Sequence, residues 1–160
     1  GNGSDWQMWY VRDVESREDL PDRVEWSKFS GATWLHDGSG FLYTRFDRPR
    51  PGATYTAANL NQKVFFHRLE SEQADDALVL ALPDHPDWRF DTHVSDDGRY
   101  IVVEVRNSTA RRNRIFYKSV HAGALVALID NFDAGFEFVG NDGTRFYFWT
   151  NHSAPRGRLV

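Results

Sequence analysis

Serine, histidine and carboxylate side chains are the groups in this sequence that could serve as nucleophile, base or metal ligand. The serine in Gly38-Ser-Gly40 does not have the Gly-x-Ser-x-Gly spacing of a nucleophile elbow. No His-Glu-x-x-His motif occurs, and no two histidines stand at metal-ligand spacing. We therefore expect this chain to contain no catalytic residue, no metal and no cofactor. We interpret its histidines as surface or strand-end residues, namely His36, His67, His85, His93, His121 and His152.

The remaining polar and aromatic clusters have structural explanations. The carboxylate pair Asp96-Asp97 falls at an expected turn, where Asp is favoured for backbone reasons. The arginines around Arg112 are most simply a solvated loop. The aromatic runs Phe65-Phe66 and Phe146-Tyr-Phe-Trp149 suit the core of a β protein better than a ligand platform. None of these clusters by itself indicates a binding site.

Composition limits the class of protein. Of the 160 residues, 41% are hydrophobic and 26% charged, which is typical of a soluble globular domain. The net charge of −4 gives no reason to expect a nucleic-acid partner, and no apolar run approaches the roughly 18 residues of a membrane span. Cysteine is absent, which excludes disulfides and favours a reducing, cytoplasmic location, with the periplasm possible for a longer parent protein.

The elements that would position any site are strands. Short β-rich segments recur along the chain, and 15% of the residues are aromatic. Asp-Gly dipeptides at Asp37, Asp97 and Asp142 separate successive segments, and Asp-Gly supplies the positive φ angles of tight hairpins. No window has a helical period, apart from a short helical turn expected around Ser71 to Asp76. The sequence predicts an all-β fold.

An internal repeat predicts the architecture. Three stretches share the plan of hydrophobic strand, Asp-Gly turn and hydrophobic strand, and two further strands follow at regular offsets. Four antiparallel strands at a period of roughly 40 to 50 residues are typical of the blades of a β-propeller. We predict two complete blades, at 32–82 and 92–129, and partial blades at about 1–26 and 136–160. So few blades cannot close a ring, and we expect the chain to be a piece of a larger propeller protein.

Two loops connect the second and third strands of the complete blades. The first is the irregular stretch Asp47 to Asn61, and the second is Asn107 to Asn113. Equivalent connections lie on one face of a propeller, and we expect that face to be the binding face.

Several motifs in collinear order resemble the propeller of prolyl oligopeptidases. Individually each is weak, but together they extend over essentially the whole chain. They are Gly3-Ser-Asp-Trp6, Leu20-Pro-Asp22, Lys28-Phe-Ser30, Asn59-Leu-Asn-Gln-Lys-Val64, Pro83-Asp-His-Pro-Asp-Trp88, Val94-Ser-Asp-Asp-Gly-Arg-Tyr100, Asn113-Arg-Ile-Phe-Tyr117 and Leu128-Ile-Asp-Asn-Phe132.

The resemblance implies a role within a two-domain serine peptidase. In that family an α/β-hydrolase domain carries the catalytic triad, and a propeller of about seven blades admits only short peptides, which are cut after proline. No triad residue would lie in this chain, which carries no catalytic α/β-hydrolase domain. Its implied partners are the catalytic domain of the same parent chain and short proline-containing peptides, and its implied role is to gate access.

The resemblance also implies three site residues. Phe29 matches an aromatic residue that walls the pocket beyond the proline site, and Arg106 matches an arginine that faces the charge of the bound peptide. Asp5 matches an acidic residue near the domain interface. Two other pocket positions, Arg89 and Thr109, differ from the Met and Cys expected there. Core packing is the alternative for Phe29, and a pairing with Glu104 or a loop carboxylate is the alternative for Arg106.

Two functions remain open at this point. One is the gating propeller of a peptidase, and the other is a free-standing propeller that serves as a protein-interaction scaffold. Repeats alone cannot separate the two because a fold does not fix a function.

Overall fold

The computed structural model describes residues 5–50, 58–107 and 111–160, and these residues form an all-β structure. They contain thirteen strands and one short 3-10 helix, Gln73–Asp75, which is the helical turn expected between Ser71 and Asp76. The predicted fold class is therefore confirmed. Within the described residues, no helix has the length and apolar character needed to cross a membrane.

The chain divides into two compact units, and the first extends to Asp87. It contains a two-stranded antiparallel sheet and a four-stranded antiparallel sheet in the order β3-β4-β5-β6. The strands are β1 (Gln7–Arg12), β2 (Asp19–Ser27), β3 (Thr33–Trp34), β4 (Gly40–Arg45), β5 (Lys63–Arg68) and β6 (Ala77–Leu80).

The second unit begins at Trp88 and contains the other two sheets. One is four-stranded and antiparallel in the order β10-β9-β8-β7, and the other is three-stranded in the order β11-β12-β13. The strands are β7 (Arg89–Val94), β8 (Tyr100–Arg106), β9 (Arg114–Ser119), β10 (Val126–Ile129), β11 (Phe136–Asp142), β12 (Arg145–Thr150) and β13 (Arg158–Leu159).

The Asp-Gly dipeptides form the hairpins that the repeat predicts. Gly38 and Gly98 adopt φ angles of 70° and 71°, which a residue without a Cβ reaches at no steric cost. Each of these two glycines donates its backbone N–H to the carbonyl three residues earlier, on Leu35 or Ser95. The third hairpin is tighter, because Asp142 pairs directly with Arg145 across a two-residue loop.

Each unit has its own core beneath a central strand. In the first unit, Phe41 and Tyr43 on β4 are buried together with Val24 from β2. In the second unit, Val102 on β8 and Ile115 on β9 are buried with Phe148 from β12. Partly buried aromatic residues complete both cores: Trp9, Phe65, Tyr117, Phe136, Phe138 and Phe146. The expected core position is met by Phe65, Phe146 and Phe148 but not by Trp149, which is 48% exposed.

Candidate functional site

Phe29 lies in the first unit, two residues beyond the end of β2. Two hydrogen bonds attach this short segment to β4: Ser27 Oγ donates to the carbonyl of Thr44 at 3.0 Å, and the Thr44 N–H donates to Ser30 Oγ at 2.9 Å. The bonds flank Phe29 on both sides and hold its backbone at φ 53°. Its side chain is 60% exposed, so it does not pack into a core of the described residues. The arrangement presents an aromatic ring to solvent from a fixed backbone.

Lys28 places a cation beside this ring. Its Nζ lies 5.8 Å from the centroid of Phe29 and 4.6 Å from the centroid of Trp6. Both distances are within the range in which an ammonium is attracted to a ring face. Lys28 Nζ also donates a hydrogen bond to Asn59 Oδ1 at 3.1 Å. The aromatic ring and the ammonium together form a mixed apolar and positive surface.

Asp5 is exposed and directly precedes Trp6. Trp6 packs edge-to-face on Trp26 at 5.8 Å and on Phe46 at 6.1 Å, which anchors the start of the described chain near the end of β2. Trp6 and Lys28 contact each other. Asp5 directly precedes Trp6 in the sequence, and Phe29 directly follows Lys28. The proposed place of Asp5 at a domain interface stays a prediction.

Arg106 lies in the second unit, at the end of β8, with 48% of its side chain exposed. Its Nη2 donates to Glu104 Oε2 at 2.8 Å, and its Nε lies 3.7 Å from Asp91 Oδ2. The hydrogen bond to Glu104, helped by the charges of Glu104, Asp91 and Glu137, raises the pKa of Arg106 above its usual value. The Glu104 pairing considered for this arginine is thus present, and about half of the side chain remains open to solvent.

Glu104 organises the groups around Arg106. Its carboxylate is almost fully buried, and it also accepts a hydrogen bond from Asn113 Nδ2 at 3.2 Å and lies 3.4 Å from His93 Nε2. Burial raises the pKa of Glu104, but the hydrogen bonds from His93 and Arg106 outweigh it and leave the pKa below the usual value. Glu104 is therefore an ionised anchor for the guanidinium.

Of the two pocket positions that differ from the residues expected there, Arg89 is described by the structure and Thr109 is not. Arg89 is half-buried at the start of β7, where it pairs with Arg106 across the sheet, and its Nη1 donates to the Trp88 carbonyl at 2.9 Å. Thr109 lies outside the described residues, as do 51–57 of the first loop.

A buried polar network in the first unit was missed by the sequence interpretation. His67 is fully buried, so its expected surface position is wrong. Its Nδ1 lies 2.7 Å from Asp76 Oδ1, and its Nε2 lies 3.0 Å from Asp22 Oδ1. Tyr43 donates its hydroxyl to Asp76 Oδ2 at 2.5 Å, and burial together with this bond raises the pKa of Tyr43. The Leu20-Pro-Asp22 motif drew attention to Asp22, but nothing in the local sequence indicates that Asp22 contacts His67, which lies 45 positions later.

The described residues offer binding groups and no assembled reaction centre. Within 5–50, 58–107 and 111–160, no group of three or more His, Cys, Asp or Glu residues could hold a metal ion. His67 and its carboxylate partners are closed to solvent, so they cannot reach a substrate. The accessible groups are the Phe29 ring, the Lys28 ammonium and the exposed half of Arg106. An exposed ring can make apolar contacts, and exposed cations can make charge contacts.

Comparison with known proteins places the whole chain in one family. The sequence profile described as "Prolyl oligopeptidase, N-terminal beta-propeller domain" matches residues 1–160. The chain is 33% identical to the prolyl endopeptidase of Elizabethkingia meningoseptica over 159 residues, which cover 99% of this chain and 22% of that protein. It is 34% identical to the prolyl endopeptidase of Dictyostelium discoideum over 157 residues, covering 89% of this chain and 21% of the relative.

Solved structures agree with the sequence match. A prolyl endopeptidase structure aligns with a TM-score of 0.89 at 33% identity, over 99% of this chain and 22% of that one. Prolyl oligopeptidase B from Galerina marginata, bound to a 35-residue substrate, aligns with a TM-score of 0.90 at 24% identity over 99% of this chain and 24% of that one, which supports the fold alone. The chain spans about a fifth to a quarter of the length of these relatives. By sequence and by fold, the chain belongs to the prolyl oligopeptidase family, as part of its N-terminal β-propeller domain.

Proposed function

We propose that this chain is the substrate-facing propeller part of a prolyl oligopeptidase-like serine endopeptidase that cleaves short peptides after proline. In this proposal its partner is the α/β-hydrolase catalytic domain of the same parent chain, and the propeller gates access to it. The relatives named prolyl endopeptidase that match 99% of this chain support the proposal. The alternative of a free-standing interaction scaffold is not favoured, because the family profile matches all of residues 1–160.

The observation that carries the proposed pocket role is the exposed ring of Phe29. It is a large apolar side chain on a backbone that hydrogen bonds fix from both sides, and 60% of its surface is open. Aromatic side chains suit such positions because they supply contact area at little conformational cost. We propose that Phe29 walls the pocket beyond the proline site, where it contacts one of the two peptide residues before the proline.

Arg106 is the proposed contact for a charge on the peptide. Its guanidinium has five N–H donors, and the bonds to Glu104 and Asp91 leave donors for a further acceptor. Because the same carboxylates offset its charge, we propose that Arg106 orients an acidic group rather than supplying strong net attraction.

The proposed role of Phe29 can be tested in the full-length parent enzyme with Phe29→Ala. Full burial of a Phe-sized side chain is worth roughly 1.5 to 3 kcal/mol, so a partly buried ring should cost about tenfold in kcat/KM. The loss should appear for peptides with a bulky residue before the proline and be small for a minimal substrate. Leu78→Ala is the matched control, since Leu78 is 57% exposed on β6 outside this site. Equal kcat/KM values for Phe29→Ala and the wild type would refute the pocket role.

Arg106→Ala belongs in the same assay, with matched acidic and neutral proline peptides at two salt concentrations. A role in charge recognition predicts a larger loss of kcat/KM for the acidic peptide, and a smaller difference at high salt because ions screen exposed charges. Equal losses for both peptides would mean that Arg106 acts only through its bonds to Glu104 and Asp91.

A further inference from the structure

The ammonium of Lys28 is the cation nearest to the exposed ring of Phe29, and its surroundings are unusual for a lysine. The side chain is half-buried, its Nζ lies over the ring of Trp6, and its hydrogen-bond acceptor is the neutral amide oxygen of Asn59. A lysine usually keeps its head group in water, and the ammonium of Lys28 also contacts an aromatic ring and an amide oxygen. The charge is fixed in place next to Phe29.

Several cations in the structure have carboxylate partners, whereas others, such as Arg45 over the ring of Phe65, contact an aromatic ring as Lys28 does. Lys63 pairs with Asp47, Arg12 pairs with Asp19, and Arg106 pairs with Glu104 and Asp91. Among the residues that the structure describes, no carboxylate lies within ion-pair distance of Lys28 Nζ. The contacts of Lys28 with Trp6, Phe29 and Asn59 thus leave its charge available to an anion that approaches the Phe29 ring.

We propose that Lys28 is a specificity-determining residue that favours an acidic side chain on the peptide residue in contact with Phe29. The inference rests on the proposed function, in which Phe29 lines a peptide pocket. A residue such as glutamate would lay its methylene groups on the ring and bring its carboxylate to the ammonium. Glutamine has nearly the same shape but no charge, so it would keep the ring contact and lose the charge contact.

The expected size of the preference follows from the exposure of the site. Ion pairs at partly exposed positions change binding by a small factor, so the ratio of kcat/KM for a Glu peptide to that for a Gln peptide should be about two to five. The ratio should shrink toward one as salt is added, because the site is open to solvent.

The experiment compares proline peptides that carry Glu or Gln either one or two residues before the proline, using the full-length parent enzyme. Phe29→Ala first identifies which of the two positions contacts the ring, as the position where the loss is greater. Lys28→Met then removes the charge while keeping the length of the side chain, and Lys28→Arg keeps the charge. Lys118→Met is the matched control, because Lys118 is also half-buried but lies on β9 outside the site.

The proposal expects Lys28→Met to abolish the Glu preference at that position, and Lys28→Arg and Lys118→Met to retain it. Loss of kcat/KM in equal proportion for the Glu and Gln peptides would overturn it and make Lys28 a support for Phe29 only. If Lys28→Met does not fold, the salt series on the wild type decides, since a ratio that does not change with salt also overturns it. An unchanged kcat/KM with Phe29→Ala at both positions would instead refute the proposed function, and this inference with it.

Discussion

Phe29 illustrates at the scale of one residue how backbone strain and exposure combine at a candidate site. Its φ of 53° lies in the left-handed region, which costs a bulky residue on the order of 1 to 3 kcal/mol and persists only where neighbours fix it. The hydrogen bonds of Ser27 and Ser30 to Thr44 supply that constraint. The fixed conformation and the exposed ring are the two observations that support the contact proposed for Phe29.

His67 is a fully buried polar residue that links separate segments of the first unit. It joins Asp22 on β2 to Asp76 after the 3-10 helix, and both carboxylates are almost completely buried. Asp22 also accepts the backbone N–H of Glu70 at 2.6 Å. The imidazole therefore holds three separate segments of the unit together from a position on β5.

We predict that His67→Ala strongly destabilises the propeller of the parent protein. Removal of the imidazole leaves buried oxygens of Asp22 and Asp76 without that hydrogen-bond partner, and each buried polar group left unsatisfied typically costs about 1 to 3 kcal/mol. His36→Ala, at an exposed turn of the same sheet, should change the free energy of unfolding by no more than about 0.5 kcal/mol. Urea midpoints followed by tryptophan fluorescence would measure both. A His67→Ala midpoint as high as that of His36→Ala would contradict the role of the network.

At the scale of the element, local sequence was sufficient to predict most strands. Gly38 and Gly98 mark hairpins because the required φ angles can be read from two adjacent residues. The apolar run of β8 likewise identifies a buried strand without knowledge of its partners. One difference is at β7, which begins at Arg89 instead of Thr92, since the pairing of Arg89 with Arg106 extends the ladder beyond the apolar run.

Contacts between distant elements could not be predicted in the same way. Whether His67 on β5 faces solvent or Asp22 depends on how β2 packs against the sheet, and that information is not local. The ion pair of Arg106 with Glu104, which was the alternative considered for this arginine, is a local contact because alternate residues of one strand lie on the same face. The contact of Lys28 with Trp6 joins residues before and after a strand pair, and no spacing rule indicates it.

Glu104 on β8 makes a pH-dependent contribution to the free energy of unfolding of the second unit. Since the pKa of folded Glu104 lies below its usual value of 4.5, its stabilising effect is complete above that value and is lost as the pH falls through the folded pKa. Glu104→Gln should therefore destabilise the protein by about 2 kcal/mol at pH 7, the size of a charge-assisted hydrogen bond. The difference from the wild type should narrow as the pH drops below 4.5. Urea unfolding of both proteins at pH 7 and at pH 3.5 tests this. A difference in the free energy of unfolding that is the same at both pH values would refute it.

At the scale of the whole molecule, each unit contains one four-stranded sheet and one smaller sheet. The structure provides antiparallel four-stranded sheets, one in each unit, and the family profile extends over both. The relatives are four to five times longer than this chain, so the activity proposed above is a property of a longer protein. The propeller segment would contribute contacts and access, and the reaction itself would occur elsewhere in that protein.

The measurement that tests the central claim most directly compares the full-length parent with the isolated 160-residue chain. Both are incubated with a serine-reactive probe and with a short proline-containing peptide, and mass spectrometry identifies the labelled protein and the bond that is cut. Our account predicts that the parent is labelled and cuts after proline, while the isolated chain is neither labelled nor active. Labelling of the isolated chain that follows its turnover, or a parent that does not cut after proline, would contradict it.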